Sequence, residues 1–309
     1  MKEISWETLK EIQIGHAQNE EARTGVTVVY FPQGARVGCD ISGGGPASRE
    51  TPLTSPLTAD NPINAIVLGG GSAFGLAASD GVMQCLEEHG IGYDTGLFKV
   101  PLVLQSDIYD LTVGDGRIRP DAAMGREACE RALAGTDTRT GRIGGGTGAT
   151  VGKILGMQNA SESGLGAYAV QIGPVWIAAM VIVNAVGDIY DSRTGRILAG
   201  VRNPSGEGFL STVELLEAGL AEPTPRTNTT IGMVATNASF QKAEAGKLAE
   251  MVRCAYSRAI RPVATMMDGD TVYFASVGDQ KADLNVIGTL AAEVMEEAIR
   301  RAVTGREEQ

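Results

Sequence analysis

The chain has 309 residues, 43% hydrophobic and 20% charged, the balance of a soluble globular protein with enough length for a sizeable core. A net charge of −11, from 26 basic and 37 acidic residues, argues against a nucleic-acid binder and disfavours an anionic membrane surface as partner. No run approaches the ~18–20 apolar residues of a membrane span.

The N-terminal Met1-Lys2-Glu3-Ile4-Ser5-Trp6 lacks the apolar core of a signal peptide, so a cytoplasmic location is expected. Cys39, Cys85, Cys129 and Cys254 fit no metal or redox spacing; reduced, mostly buried thiols are expected, and no metal or other cofactor. Thr24–Phe31 is β-branched and reads as a strand. Asn64–Leu68 is a short buried strand running into Gly69-Gly70-Gly71-Ser72 and then a helix to about Glu88. Asp121 caps a further helix to Leu133, closed by Gly135. Leu165–Ile172 and Trp176–Val186 are apolar strands joined by the turn signal Gly173-Pro174. Ile189–Asp191 and Arg196–Gly200 flank another turn, and Gly208–Leu220 has the pattern of an amphipathic helix.

Pro223-Thr224-Pro225-Arg226-Thr227-Asn228 then punctuates the chain, as a loop or a domain linker. The segment after it is small for an independent domain, so its strands are expected to join the larger sheet. They are Thr229–Thr236 and Thr271–Ser276, followed by helices near Ser239–Ile260 and Ala282–Val303. Asp268-Gly269-Asp270 reads as the turn between them. Strands and helices stacked in layers are the coarse expectation.

Glycine, at 41 residues, is about twice its usual share and gathers in short clusters. Ser42-Gly43-Gly44-Gly45-Pro46 and Gly69-Gly70-Gly71-Ser72 could cradle an anion with backbone N–H groups, or pack tightly. Gly144 to Lys153 ends in Gly-Lys but fails as a phosphate loop. Thr147 replaces the first glycine of that motif, and Ile154 stands where a metal-binding Ser or Thr belongs. The two histidines, His16 and His89, exclude a three-histidine metal site and read as structural, which leaves little room for a His-dependent triad.

A mechanism without histidine is open at the bond between Asn228 and Thr229. The Thr229 hydroxyl can attack the preceding carbonyl, and cleavage there would put nucleophile and amine base on one residue. An α-amine has a pKa of roughly 7.7–8.0 and is partly neutral near pH 7. Beside such an amine, Asp268 and Asp270 could orient it; elsewhere, two acids in a turn would face solvent. Asn184 interrupts the apolar strand and must find partners; its amide could serve structure or hold an oxyanion. Lys153 and Tyr109 could position substrate or carry protons, or be structural.

Several motifs resemble the L-aminopeptidase/D-esterase family: Ile14-Gly15-His16, Thr24-Gly25-Val26-Thr27-Val28-Val29, Gly69–Leu76, Ile108-Tyr109-Asp110-Leu111 and Ala235-Thr236-Asn237. The chain looks most similar to that family's nylon-oligomer hydrolase branch. The resemblance implies an αββα sandwich of the N-terminal-nucleophile type, a single domain processed into 1–228 and 229–309, and a tetramer of processed heterodimers. It assigns the nucleophile to Thr229, freed after Asn228, with Asp268, Asp270, Asn184, Lys153 and Tyr109 as the other catalytic residues. The implied activity is internal hydrolysis of linear aliphatic oligoamides such as 6-aminohexanoate oligomers. The aminopeptidase branch typically carries Ser as nucleophile, with Ser and Glu near the paired acids, and this chain differs at each of those places. Alternatives are an aminopeptidase or D-esterase, an acyltransferase of the ornithine acetyltransferase type, and a non-catalytic Gly-rich ligand-binding protein.

Overall fold

A computed structural model describes residues 1–220 and 228–305, so most of the Pro- and Thr-rich segment before the junction lies outside the described residues. Eight strands and four helices build the frame. They are β1 (Gln13–Asn19), β2 (Thr24–Ile41), β3 (Ile63–Gly69), α1 (Ala78–Glu88), β4 (Val103–Asp107), α2 (Ala122–Ala134), β5 (Leu165–Ile172) and β6 (Val175–Asn184), then β7 (Thr229–Ala238), α3 (Lys242–Ala259), β8 (Thr271–Gln280) and α4 (Leu284–Thr304). Three helices begin at side-chain caps: Asp121, as the sequence reading expects, and also the Gln241/Glu244 box and Asp283.

The strands form two sheets that share one long element. β5, β6, β7, β8 and the second half of β2 lie side by side, while the first half of β2 pairs with β1 and β3, and β3 with β4. Strand alternation then sorts side chains into layers. From β7, Ile231, Met233 and Ala235 enter the layer between the sheets with Ile66, Leu68 and Leu104, whereas Val234 turns outward to Leu248, Val252 and Met295 of α3 and α4. Val28, Val67 and Val103 on the far side meet α1 and α2. The result is the αββα sandwich expected. Gly38 and Gly166 let helices come close, because a Cβ there would meet the backbone of α3 and α4 respectively. Among the described residues, no helix is long and apolar enough to cross a membrane.

Two expectations change. The amphipathic helix over 208–220 contracts to Thr212–Glu217, because Phe209–Leu210 pairs with Val201–Arg202 and Ser211 starts the helix only after that hairpin. Asp268-Gly269-Asp270 is not the turn itself. The turn lies before it, where Asp268 N–H donates to the Thr265 carbonyl, and Asp268 then forms a parallel bridge with Asn228.

Candidate active site

The inter-sheet layer is predominantly apolar, so polar groups at its end are costly unless they are paired. Strand register brings two of them together. Asn184, last in β6, stands opposite Thr229, first in β7, two positions beyond the core pair Ile182 and Ile231. Directly opposed residues share a face of the sheet, so both follow the inward side.

The carbonyl of Asn228 is the focal atom. It accepts the Gly269 N–H at 2.9 Å and also the hydroxyl of Thr229. Only glycine suits position 269, since a Cβ there would lie 2.7 Å from Thr229 Oγ1. Gly269→Ala is therefore expected to displace the hydroxyl and to press on the Gly45 carbonyl, 2.9 Å from the same Cβ. If the bond is a cleavage site, about a hundredfold slower cleavage should be visible as accumulated full-length chain on a gel.

The two aspartates flank that glycine and are buried. Asp270 accepts N–H groups from Thr230 (2.6 Å) and Ala264 (2.8 Å). Burial, with the neighbouring Asp268, pushes Asp270 up to about 7 against those donors and Lys153. Asp268 accepts the N–H and hydroxyl of Thr265 at 2.9 and 2.5 Å, and burial raises it too. The Ser42–Gly45 loop braces this segment from behind. Its N–H groups donate to the carbonyls of Asp270, Thr265 and Asp268, so it is a structural clamp rather than an open anion cradle.

Lys153 is buried beside Asn184. Its Nζ donates to the Asn184 carbonyl (2.9 Å) and Oδ1 (2.7 Å). The N–H groups of Gly152 and Lys153 donate to the carbonyls of Gly187 and Val186, which holds the lysine at the end of β6. Gly152 has a left-handed φ of 70°, so the Gly-Lys pair serves this turn and not a phosphate. Burial pulls Lys153 down to about 7, against the opposing fields of Asp268, Asp110 and Asp270. A lysine so shifted is partly neutral near pH 7 and can take a proton.

Asn184 Oδ1 also accepts the Thr150 N–H at 3.1 Å, and Nδ2 donates to the Tyr109 carbonyl at 3.0 Å. One amide hydrogen of Asn184 is thereby used and a second remains. Tyr109 is half-buried and joins the cluster through its main chain; its phenol makes no hydrogen bond among the described residues.

Four contributors escaped the sequence reading as site residues: the Gly269 N–H, Thr150, Thr265 and Asp110. The Asp-Gly-Asp spacing before a strand was a usable signal for the first. Asp110 accepts Gly71 N–H (2.8 Å) and the Thr24 hydroxyl (2.6 Å), and burial raises it to about 6. The Gly69–Ser72 loop thus wraps a carboxylate of the protein itself. His16 and His89 are structural as expected. His16 bonds Thr27 at 2.9 Å and is pulled down to about 4 by burial; His89 ends α1.

A buried hydroxyl against a carbonyl, an N–H on the same oxygen and a lysine of lowered pKa together make a site for acyl chemistry. Solved structures share the frame. An L-aminopeptidase D-Ala-esterase/amidase from Ochrobactrum anthropi, described as a variant of the Ntn-hydrolase fold, superposes with a TM-score of 0.68 at 17% identity, over 95% of this chain and 84% of that one. A Burkholderia sp. beta-aminopeptidase superposes with a TM-score of 0.65 at 19% identity, over 94% and 83%. The molecule is thus an Ntn-type α/β sandwich.

The model of peptidase family S58 matches residues 8–308, and the chain belongs to that family. An uncharacterised aminopeptidase of Mycobacterium leprae (strain TN) is 36% identical over 292 residues, 88% of this chain and 78% of its own length. A 6-aminohexanoate-oligomer endohydrolase of Agromyces sp. (strain KY5R) is 33% identical over 309 residues, 94% and 83%. The protein is an amide-bond hydrolase, and the reading as a non-catalytic ligand-binding protein falls away.

Proposed function

We infer that this hydrolase makes its own nucleophile by cutting the bond between Asn228 and Thr229. Thr229 Oγ1 adds to the Asn228 carbonyl carbon while its proton passes to a base. The Gly269 N–H holds the developing oxyanion. Collapse breaks the C–N bond and leaves an ester between Asn228 and the Thr229 oxygen. Water then hydrolyses it to an Asn228 carboxylate and a free Thr229 amine. The products are residues 1–228 and 229–309, which stay together as one domain. The observation that carries this reading is the Asn228 carbonyl, which accepts both the Thr229 hydroxyl and the Gly269 N–H.

In the mature enzyme the Thr229 hydroxyl attacks a substrate amide, with its own amine as base. Asp268 and Asp270 hold that amine. The second amide N–H of Asn184 and a backbone N–H take the oxyanion. Lys153 and the Tyr109 phenol serve proton transfer and positioning. The amine product leaves and water resolves the acyl-enzyme. The substrates are linear aliphatic oligoamides of the 6-aminohexanoate type, cut internally by a cofactor-free cytoplasmic enzyme that assembles as a tetramer of processed heterodimers. Support for the substrate class comes from the named activity of the Agromyces relative.

Intact mass and N-terminal sequencing of the purified protein test the self-cutting step. Two fragments that together account for the 32.2 kDa chain plus one water, one beginning Thr-Thr-Ile-Gly, are expected. A chain that stays whole yet active sinks the reading. A second reading, an aminopeptidase, is favoured by the name of the Mycobacterium leprae relative at 36% identity. Faster hydrolysis of amino-acid p-nitroanilides than internal cleavage of long oligoamides would select it.

A further inference from the structure

One cavity of about 700 Å³ adjoins the catalytic cluster through Thr150. Thr150 lines it and donates its N–H to Asn184 Oδ1. Thr112 and Val113 line it too, and they follow Tyr109, whose carbonyl takes the Asn184 amide. The hairpin of Thr150–Val151 with Ser161–Glu162 forms one wall, so the cavity hangs directly from the strand ends that position the cluster. Its size suits a small-molecule segment.

The lining has two characters. Val113, Met157 and Phe209 give it apolar surface of the kind that receives methylene groups. Its charged lining residues are Arg23, Arg202 and Glu162. Glu162 is already held by Arg23 at 3.0 Å and by Arg142 at 2.5 Å. Arg202 is exposed and gives one N–H to the Gln158 carbonyl at 2.7 Å; no carboxylate pairs with it among the described residues. A guanidinium carries five N–H donors in a fork that matches a carboxylate. With Glu162 already paired, the lining carries an excess of positive charge.

We propose that this cavity is the leaving-group subsite, and that Arg202 captures the terminal carboxylate of a linear amide substrate whose methylene chain lies along Val113, Met157 and Phe209. The inference rests on the hydrolase reading above. It assigns the amine-product half of the substrate to this side of Asn184. It also makes the cut bond depend on distance from the free carboxyl end. An oligoamide and a peptide offer the same terminal chemistry, so the test uses both.

The experiment compares kcat/KM of the processed enzyme on a 6-aminohexanoate trimer with a free carboxylate and on the same trimer capped as a C-terminal amide. A matched peptide acid and amide form the second arm. The free acid of at least one arm should be preferred by about tenfold, the scale of one charge-assisted pair. Arg202→Gln should remove that preference by lowering only the free-acid value, and Arg202→Lys should restore part of it. Arg202 is exposed, and an unchanged rate of self-cleavage in both variants would verify the fold. Equal cleavage of free and capped forms by the wild type overturns the subsite and leaves the hydrolase reading standing, as does a preference that survives Arg202→Gln. If no form is cut by a processed wild type, the substrate reading fails and the subsite fails with it.

Discussion

Thr229→Ala is expected to leave one unbroken chain of 32.2 kDa without measurable amidase activity. The argument is chemical. Alanine at 229 has no oxygen to add to the Asn228 carbonyl, so the bond cannot be exchanged for an ester and then hydrolysed. The other hydroxyls named in the cluster are directed elsewhere: Thr265 gives its own to Asp268 and Thr150 to Asn184, while Lys153 is turned onto Asn184. Loss of a nucleophile in a hydrolase costs roughly six orders of magnitude in turnover. Thr229→Ser keeps the oxygen and should still process, which separates chemistry from misfolding. Mass spectrometry of the whole chain, with a turnover assay on the same sample, reads both effects. Activity in the alanine variant would remove Thr229 from the mechanism.

Lys153→Met should slow self-cleavage by about 10²–10⁴-fold, the range of a general base. In the proposed cleavage Thr229 has no free amine until the bond is broken, so the first proton must go elsewhere. Lys153 sits on Asn184, the residue directly opposite Thr229, and burial has pulled it down to about 7. The sign follows from the form required. A base must be neutral, and a lysine with that value is mostly charged at pH 6 and mostly neutral at pH 8. The wild-type rate should therefore rise about tenfold per pH unit below 7 and level off above it. The variant should be slow with no such rise. The check is a pH jump on unprocessed protein, with fragments quantified over time. Methionine fills similar volume without a charge, so an unchanged melting temperature would show that the fold tolerates it. Processing of the variant at the wild-type rate would exclude Lys153 as the base.

The frame was largely legible in the sequence because its elements carry local signals. Strand alternation, the Asp121 cap and the Gly173-Pro174 turn act over a few residues. The helix after Gly208 was overextended because amphipathic periodicity competes there with a hairpin to Val201–Arg202, a pairing that a window on the helix does not contain. Residue type and resemblance single out the candidate site residues, but their partners are not legible in the sequence. That Asn184 faces Thr229 depends on the register of strands joined through a long excursion of chain. That Gly269 meets the Asn228 carbonyl depends on a parallel bridge across a whole helix and two turns. The Gly-rich loops misled in one respect. Their free N–H groups looked like ligand donors, yet at Ser42–Gly45 they are taken up by main-chain carbonyls, and Gly71 gives its N–H to the Asp110 carboxylate.

The position of β7 and β8 between β6 and β2 has a consequence for the life of the molecule. Both middle strands come from beyond residue 228 and both flanking strands from before it. While the bond is whole, folding is an event within one chain and its rate ignores concentration. Once the bond is cut, a denatured molecule is two strangers that must meet again in solution, each lacking its partners in the sheet. Maturation would thus erase the instructions for reassembly, and the finished enzyme would owe its persistence to slow unfolding rather than to easy return.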